Sequence, residues 1–365
     1  MKKGVRIASI IMVLVFACAT LFACNERLAP SMETDLSVDY ESDIGLYFFN
    51  ADGEHKRYSS EISNEYFDKS KPTVVFFHGW MTESYQENEI CKNADNFASK
   101  IIDAGYNFCS MDYCHHAGNL VELFRYIWSD FKGGHSVACR FAKEYATCFE
   151  NYSNEIRFVS HSYGAHSSVA TAYLLSNMIK QGIVKDGCMP TRMTFADPYL
   201  GDIISQIPNY SMPTTIENIN EPIGDRSTTE VFADCMQYLA NEGIVMDVYA
   251  GMPFAYDQYL ENDAARRKVC RDKVYDAASW TILTGLQEGY GTVGDIHMIT
   301  LDWVFDSFFA SEKKSGDIYY PTASLSNDKI LALKGKCYNS TLTTLDCEND
   351  VLFEVDRNAS VDDEE

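Results

Sequence analysis

Positive charge is scarce in this chain. Its 30 lysines and arginines face 53 aspartates and glutamates, a formal net charge of −23 over 365 residues. That balance argues against a nucleic-acid partner and against electrostatic capture by anionic membranes, because both need a surface rich in Lys and Arg. The acidic excess reads as a solubility device. No phosphate-binding glycine loop, dinucleotide fingerprint, internal repeat or heptad pattern occurs. No Cys/His spacing suits zinc, and no metal or organic cofactor is expected.

The N-terminus reads as a targeting segment over residues 1–24. Met1-Lys2-Lys3-Gly4-Val5-Arg6 is basic and Ile7 to Ala23 is apolar, somewhat short for a retained membrane span. Two cuts are open. Leu21-Phe22-Ala23-Cys24 resembles a bacterial lipoprotein signal, which would leave a lipid anchor on Cys24, whereas Ala17-Cys18-Ala19 would release a freely secreted chain. Either way export is expected, to the cell envelope or beyond. Of 12 cysteines, Cys18 and Cys24 belong to this segment, which leaves 12 − 2 = 10. An even number in an exported chain points to disulfides. Cys337 and Cys347 flank a hairpin-like segment and are the expected pair, while Cys109, inside an apolar strand, is expected as a free buried thiol. Acceptor sequons at Asn151, Asn209, Asn339 and Asn358 matter only in a eukaryotic secretory route.

From Pro72 onward short apolar runs alternate with helical patterns. Strands are expected over 73–77, 107–111, 156–160 and 191–196, and helices over about 89–103, 133–150 and 165–181. Ile44 to Phe49 reads as a leading strand. Alternation at this spacing predicts an α/β architecture, a mainly parallel sheet with helices on both faces. The segment of about 198–294 is rich in Tyr, Met and Phe among loop signals and reads as a lid or substrate-pocket insertion. Residues 315–365 read as a short β-rich appendage, with Lys329–Leu333, Ser340–Leu345 and Val351–Val355 as β segments before an acidic tail.

The most informative stretch is Ile156 to His166, where an apolar run leads through Ser160-His161-Ser162-Tyr163-Gly164 into a helix-forming segment. A serine presented on a sharp strand-to-helix turn needs small residues two before and two after it, and Ser160 and Gly164 are small. Such a serine also needs an imidazole to take its proton and a carboxylate behind that imidazole. In the α/β-hydrolase arrangement the acid and then the base follow the serine. Of eight histidines, only His297 follows Ser162 by more than a few residues. It sits after a glycine-rich loop and before a helix expected from Met298 to Phe309. For the acid, Asp197 closes an apolar strand before Pro198; Asp247, inside an apolar run, is the rival, and Asp225 reads as a turn residue. Two backbone N–H groups must face the developing oxyanion. Tyr163, after the serine, and Trp80, in Phe77-His78-Gly79-Trp80, are the candidates, with His78 pinning its own loop.

These motifs resemble the pancreatic-lipase-like family of neutral lipases and phospholipases A1. Ser160-His161-Ser162-Tyr163-Gly164-Ala165-His166 looks like that family's Gly-His-Ser-Leu-Gly-Ala-His, with Ser160 and Tyr163 as departures. Phe77-His78-Gly79-Trp80 resembles its oxyanion loop, Asn107 to Tyr113 its strand ending in Val-Asp-Trp, and Phe195-Ala196-Asp197-Pro198 its acid site. The resemblance covers roughly Lys71 to Gly201 and gives the His297 region no motif. It implies an α/β-hydrolase domain over 25–314, a serine ester hydrolase acting on acyl esters of lipids, and no cofactor. Membrane contact is then expected only through the Cys24 anchor or a transient lipid surface. A lipid-binding protein that kept the scaffold without catalysis, and a thioesterase or peptidase of the same fold, are the rival readings.

Overall fold

Thr73-Val74-Val75-Phe76-Phe77 is buried at every position, on both faces, which suits a central parallel strand covered by helices above and below. In a computed structural model of the protein, residues 44–60, 65–79, 92–113, 133–198, 228–251, 272–283, 293–308, 314–315, 318–319, 322–340 and 352–354 are described. The strands among them are β1 (Gly45–Phe49), β2 (His55–Arg57), β3 (Thr73–Phe77), β4 (Asn107–Asp112), β5 (Ile156–His161) and β6 (Arg192–Ala196). They continue with β7 (Val245–Ala250), β8 (Ser279–Leu283), β9 (Lys314–Ser315), β10 (Ile318–Tyr319), β11 (Cys337–Ser340) and β12 (Leu352–Glu354). The helices are α1 (Lys92–Asp103), α2 (Gly133–Cys148), α3 (Gly164–Lys180), α4 (Thr228–Asn241), α5 (Val293–Ser307) and α6 (Asn327–Ala332).

Ten strands form one sheet in the order β12-β11-β8-β7-β6-β5-β3-β4-β1-β2. From β4 through β3, β5, β6, β7 and β8 to β11 every pairing is parallel. The leading β1–β2 pair and the last strand, β12, add antiparallel edges. Alternate side chains reach opposite faces. Val75, Phe77, Phe158, Phe195 and Val248 meet the apolar faces of α2, α3 and α4; Val74, Phe76, Val159 and Tyr249 meet α1 and α5. No helix among the described residues is long and apolar enough to cross a membrane.

Several expectations change. Helix α5 starts at Val293, so His297 lies within its first turns and not on a loop ahead of Met298. Burial of Leu301, Val304 and Phe305 against the sheet outweighs the helix-weakening Gly294. Lys329–Leu333, read as a β segment, is mostly helix α6; Ser326 at its N-cap and Asp328 in its first turn are helix-start residues. The C-terminal strands join the main sheet, β11 pairing with β8. The segment 198–294, read as an insertion, supplies α4 and the sheet strands β7 and β8. Residues 272–277 of it are helical as well, while residues 199–227, 252–271 and 284–292, residues 1–24, Trp80, Cys347 and the acidic tail lie outside the described residues, and Asp225 with them. Cys109 is the free buried thiol expected of it; Cys148 is free and buried too, and so takes no part in the expected disulfide framework.

Candidate active site

Three neighbouring strands end at one edge of the sheet. The register pairs His161 of β5 with Ala196 of β6, and Ala196 with Tyr249 of β7. Ser162, Asp197 and Gly251 are the residues that follow these strand ends, so one sheet edge presents all three. Carboxyl edges of parallel strands are where this kind of sheet places its sites.

Ser162 adopts the left-handed backbone region with φ 54°, a strained conformation for a residue with a side chain. Its N–H donates to Ala196 O at 3.2 Å and its carbonyl accepts from Ala165 N at 3.2 Å, so the turn is bonded to β6 and to α3. Glycines make room for it. A Cβ on Gly164 would stand 2.3 Å from Phe77 O and 2.5 Å from His78 O, and one on Gly79 would stand 2.9 Å from Ser162 Cβ. The loop after β3 therefore passes directly against the serine. Tyr163 caps the N-terminus of α3 with helical φ and ψ.

Asp197 is also held at positive φ, 42°. Its N–H donates to Tyr249 O at 2.6 Å. Gly251 N–H donates to Oδ1 at 3.1 Å, and His297 Nδ1 donates to Oδ2 at 2.5 Å. The carboxylate is fully buried, while the imidazole keeps 22% of its side-chain surface exposed. With Nδ1–H donated to the carboxylate, the His297 Nε2 lone pair is the one left to accept a proton.

Two other histidines near this edge, His78 and His161, are bonded to backbone. His78 is buried; its Nδ1–H donates to Gly79 O at 2.9 Å, its Nε2 accepts from Tyr113 N at 3.2 Å, and its ring stacks on Tyr113 at 3.8 Å. That is the loop-pinning role expected of it. His161, on the strand immediately before the serine, donates from Nε2 to His297 O at 3.2 Å, and the two rings lie 4.3 Å apart. Burial, with repulsion from His297 added, holds His161 well below the ordinary imidazole range, so it stays neutral. This contact joins residues 136 apart, and nothing local in the sequence signals it.

The rival carboxylate lies elsewhere. Asp247 is the third residue of β7, paired with Thr194 in mid-β6, away from the strand ends that carry Ser162 and Asp197. Arg192 grips it through Nε–Oδ1 at 2.9 Å and Nη2–Oδ2 at 2.6 Å, and Thr194 Oγ1 donates to Oδ1 at 2.8 Å. Arg157 lies 3.7 Å away, its guanidinium over the Phe308 ring and one N–H on Ala323 O. The charge that seemed costly in an apolar run is thus paired, by an arginine 55 residues away. Among the described residues no group of His, Cys, Asp and Glu could hold a metal ion.

A mainly parallel sheet with a leading antiparallel pair, β3 between β4 and β5, and a positive-φ serine on the β5–α3 turn define the α/β-hydrolase fold. No protein-family model and no curated protein matches the chain. Three solved structures are similar to it in part. Esterase B from Lactobacillus rhamnosus shares 12% identity over 66% of this chain and 74% of its own, with a TM-score of 0.29. Acetyl xylan esterase 1 from a Thermoanaerobacterium species shares 17% over 69% and 83%, at 0.31. A Bacillus licheniformis lipase in mature form shares 14% over 52% and 69%, at 0.28. The fold assignment rests on the strand order and the turn at Ser162, not on these likenesses.

Proposed function

We propose that the protein is an exported serine hydrolase that cleaves carboxylic esters, of the pancreatic-lipase-like kind, with acyl esters of lipids as its substrates. Ser162 Oγ attacks the ester carbonyl as His297 Nε2 takes its proton. Asp197 holds the imidazole with Nδ1–H toward the carboxylate and stabilises the cation that forms. The backbone N–H groups of Tyr163 and Trp80 receive the oxyanion. The tetrahedral intermediate collapses when His297 returns its proton to the leaving alcohol, and water, activated by the same imidazole, then releases the acid and regenerates Ser162. No metal or cofactor enters this chemistry. The partner is the ester itself, with no nucleic acid, and the membrane is met only through a Cys24 anchor or in passing contact with a lipid surface.

The observation that carries the reading is the 2.5 Å bond between His297 Nδ1 and Asp197 Oδ2, at the strand edge where Ser162 is held at φ 54°. A carboxylate buried against an imidazole beside a strained serine is costly for a scaffold without chemistry. The test is labelling by a fluorophosphonate probe followed by peptide mapping. The label is expected on the peptide containing Ser162, and Ser162→Ala should lose both label and ester turnover while keeping its fold. A wild-type chain that takes no label and hydrolyses neither short nor long acyl esters would sink the reading.

A further inference from the structure

Resting on that reading, we infer that His161 is a positioning residue: its Nε2–H to the backbone carbonyl of His297 fixes the turn of α5 that carries the base against the strand that carries the nucleophile.

His161 precedes Ser162 in the chain and points to the α5 side of the sheet, where its ring lies 4.3 Å from that of His297. A carbonyl only accepts, so the 3.2 Å contact with His297 O places the proton on His161 Nε2. Nδ1 then bears a bare lone pair. It is buried, has no hydrogen-bond partner among the described residues, and lies 3.1 Å from where a Cβ on Gly79 would be. A residue needed only to fill this space would not bring an unpaired polar atom into it.

What the histidine supplies is a donor at a fixed distance from the serine. The His297 carbonyl has two lone pairs, so it accepts this bond without giving up its helical one. Asp197 fixes the His297 ring from one side, and His161 fixes the backbone beneath that ring. Ser162 follows β5 and His297 lies in α5; besides the apolar packing of Leu301, Val304 and Phe305, this bond ties the end of β5 to the backbone of α5 at the base itself. Shifts of an ångström between such groups change rates by about 100-fold.

The test uses the full chain and fluorophosphonate inactivation, resolved into a maximal rate and a half-saturating concentration. His161→Phe keeps an aromatic ring against His297 and deletes the donor. His161→Gln keeps an N–H within reach of the carbonyl. His161→Phe is expected to slow the maximal rate by about 10- to 100-fold with half-saturation unchanged, and His161→Gln to recover most of it. If His161→Phe does not fold, His161→Asn, polar but too short to reach the carbonyl, takes its place with the same expected loss. A donor-less variant that inactivates as fast as wild type, or a folded Gln variant as slow as the Phe or Asn variant, overturns the inference while leaving the serine reading intact. An inert wild type overturns the serine reading, and the inference falls with it.

Discussion

Gly251 N–H and His297 Nδ1 hold the two oxygens of Asp197 between them, at 3.1 and 2.5 Å. One donor comes from the end of β7 and the other from α5, so the carboxylate is fixed by two elements besides its own strand. Asp197→Asn should therefore keep its position yet present the imidazole with an amide. If that amide turns its N–H toward the ring, His297 holds the wrong tautomer. Turnover on a short acyl ester should fall about 10⁴-fold, with the thermal midpoint little changed. A variant with near-wild-type turnover would remove Asp197 from the proposed machinery.

Asp247→Asn should do the reverse. It leaves Arg192 buried without its counter-charge, and breaking one side of a buried pair costs about 3–5 kcal/mol. Folding stability measured in urea should fall by that amount, while turnover per phosphonate-titratable site stays within a few-fold of wild type. The two asparagine variants thus separate a site carboxylate from a structural one by two readouts, turnover falling in one variant only and stability in the other only.

How much of this was legible in the sequence depended on whether the signal was local. The Ser162 turn is written in seven consecutive residues, and Asp197 in a strand ended by proline. His297 followed from chain order alone. The helix expected from Met298 is there but starts earlier, at Val293, because Gly289 to Gly294 carries a loop composition whereas the start of α5 is decided by packing of Leu301, Val304 and Phe305 on β3, β5 and β7. The Arg192–Asp247 pair and the His161–His297 contact were invisible for a different reason. Each joins residues brought together only by the sheet, and neither has any mark in the nearby chain. The short apolar run Lys329–Leu333 was ambiguous by period, and tertiary context made it a helix.

Acid should destabilise the protein in two separate windows. His161 is held well below its ordinary 6.5, first by burial and then by the neighbouring His297 and, more weakly, His78. Its neutral form belongs to the fold, so as pH drops below 6.5 the unfolded chain binds the extra proton and stability falls. Asp247 is lowered from 3.8: desolvation acts against ionisation, but the charge and hydrogen bonds of Arg192, with Arg157 and Thr194, win. Its contribution is fully present above 3.8 and is lost as pH falls further, through the folded value. Unfolding free energies from urea titrations taken from pH ~7 down to ~3 should decline by up to ~1.4 kcal/mol per pH unit in the upper window for wild type and by less for His161→Gln. Asp247→Asn should flatten only the lower window. An upper window that does not change in His161→Gln would contradict the neutral, buried imidazole.

Helix α3 has a glycine near each end, and the two should respond differently to alanine. Gly182, just past the helix, has φ 69° and open space around its missing Cβ. Gly182→Ala pays only for the left-handed backbone, about 1–2 kcal/mol, and should leave the phosphonate rate unchanged. Gly164, at the start, has no such freedom: its Cβ would meet the backbone oxygens of Phe77, at the end of β3, and of His78 just after it, and backbone cannot swing aside as a side chain can. Accommodating it means moving α3 away from β3, and that displaces the Ser162 turn bonded to both α3 and β6. Gly164→Ala should therefore lose stability by more than Gly182→Ala in urea and lose at least 100-fold in phosphonate rate in whatever fraction folds. Equal losses at the two ends would mean that α3 can shift without disturbing the serine.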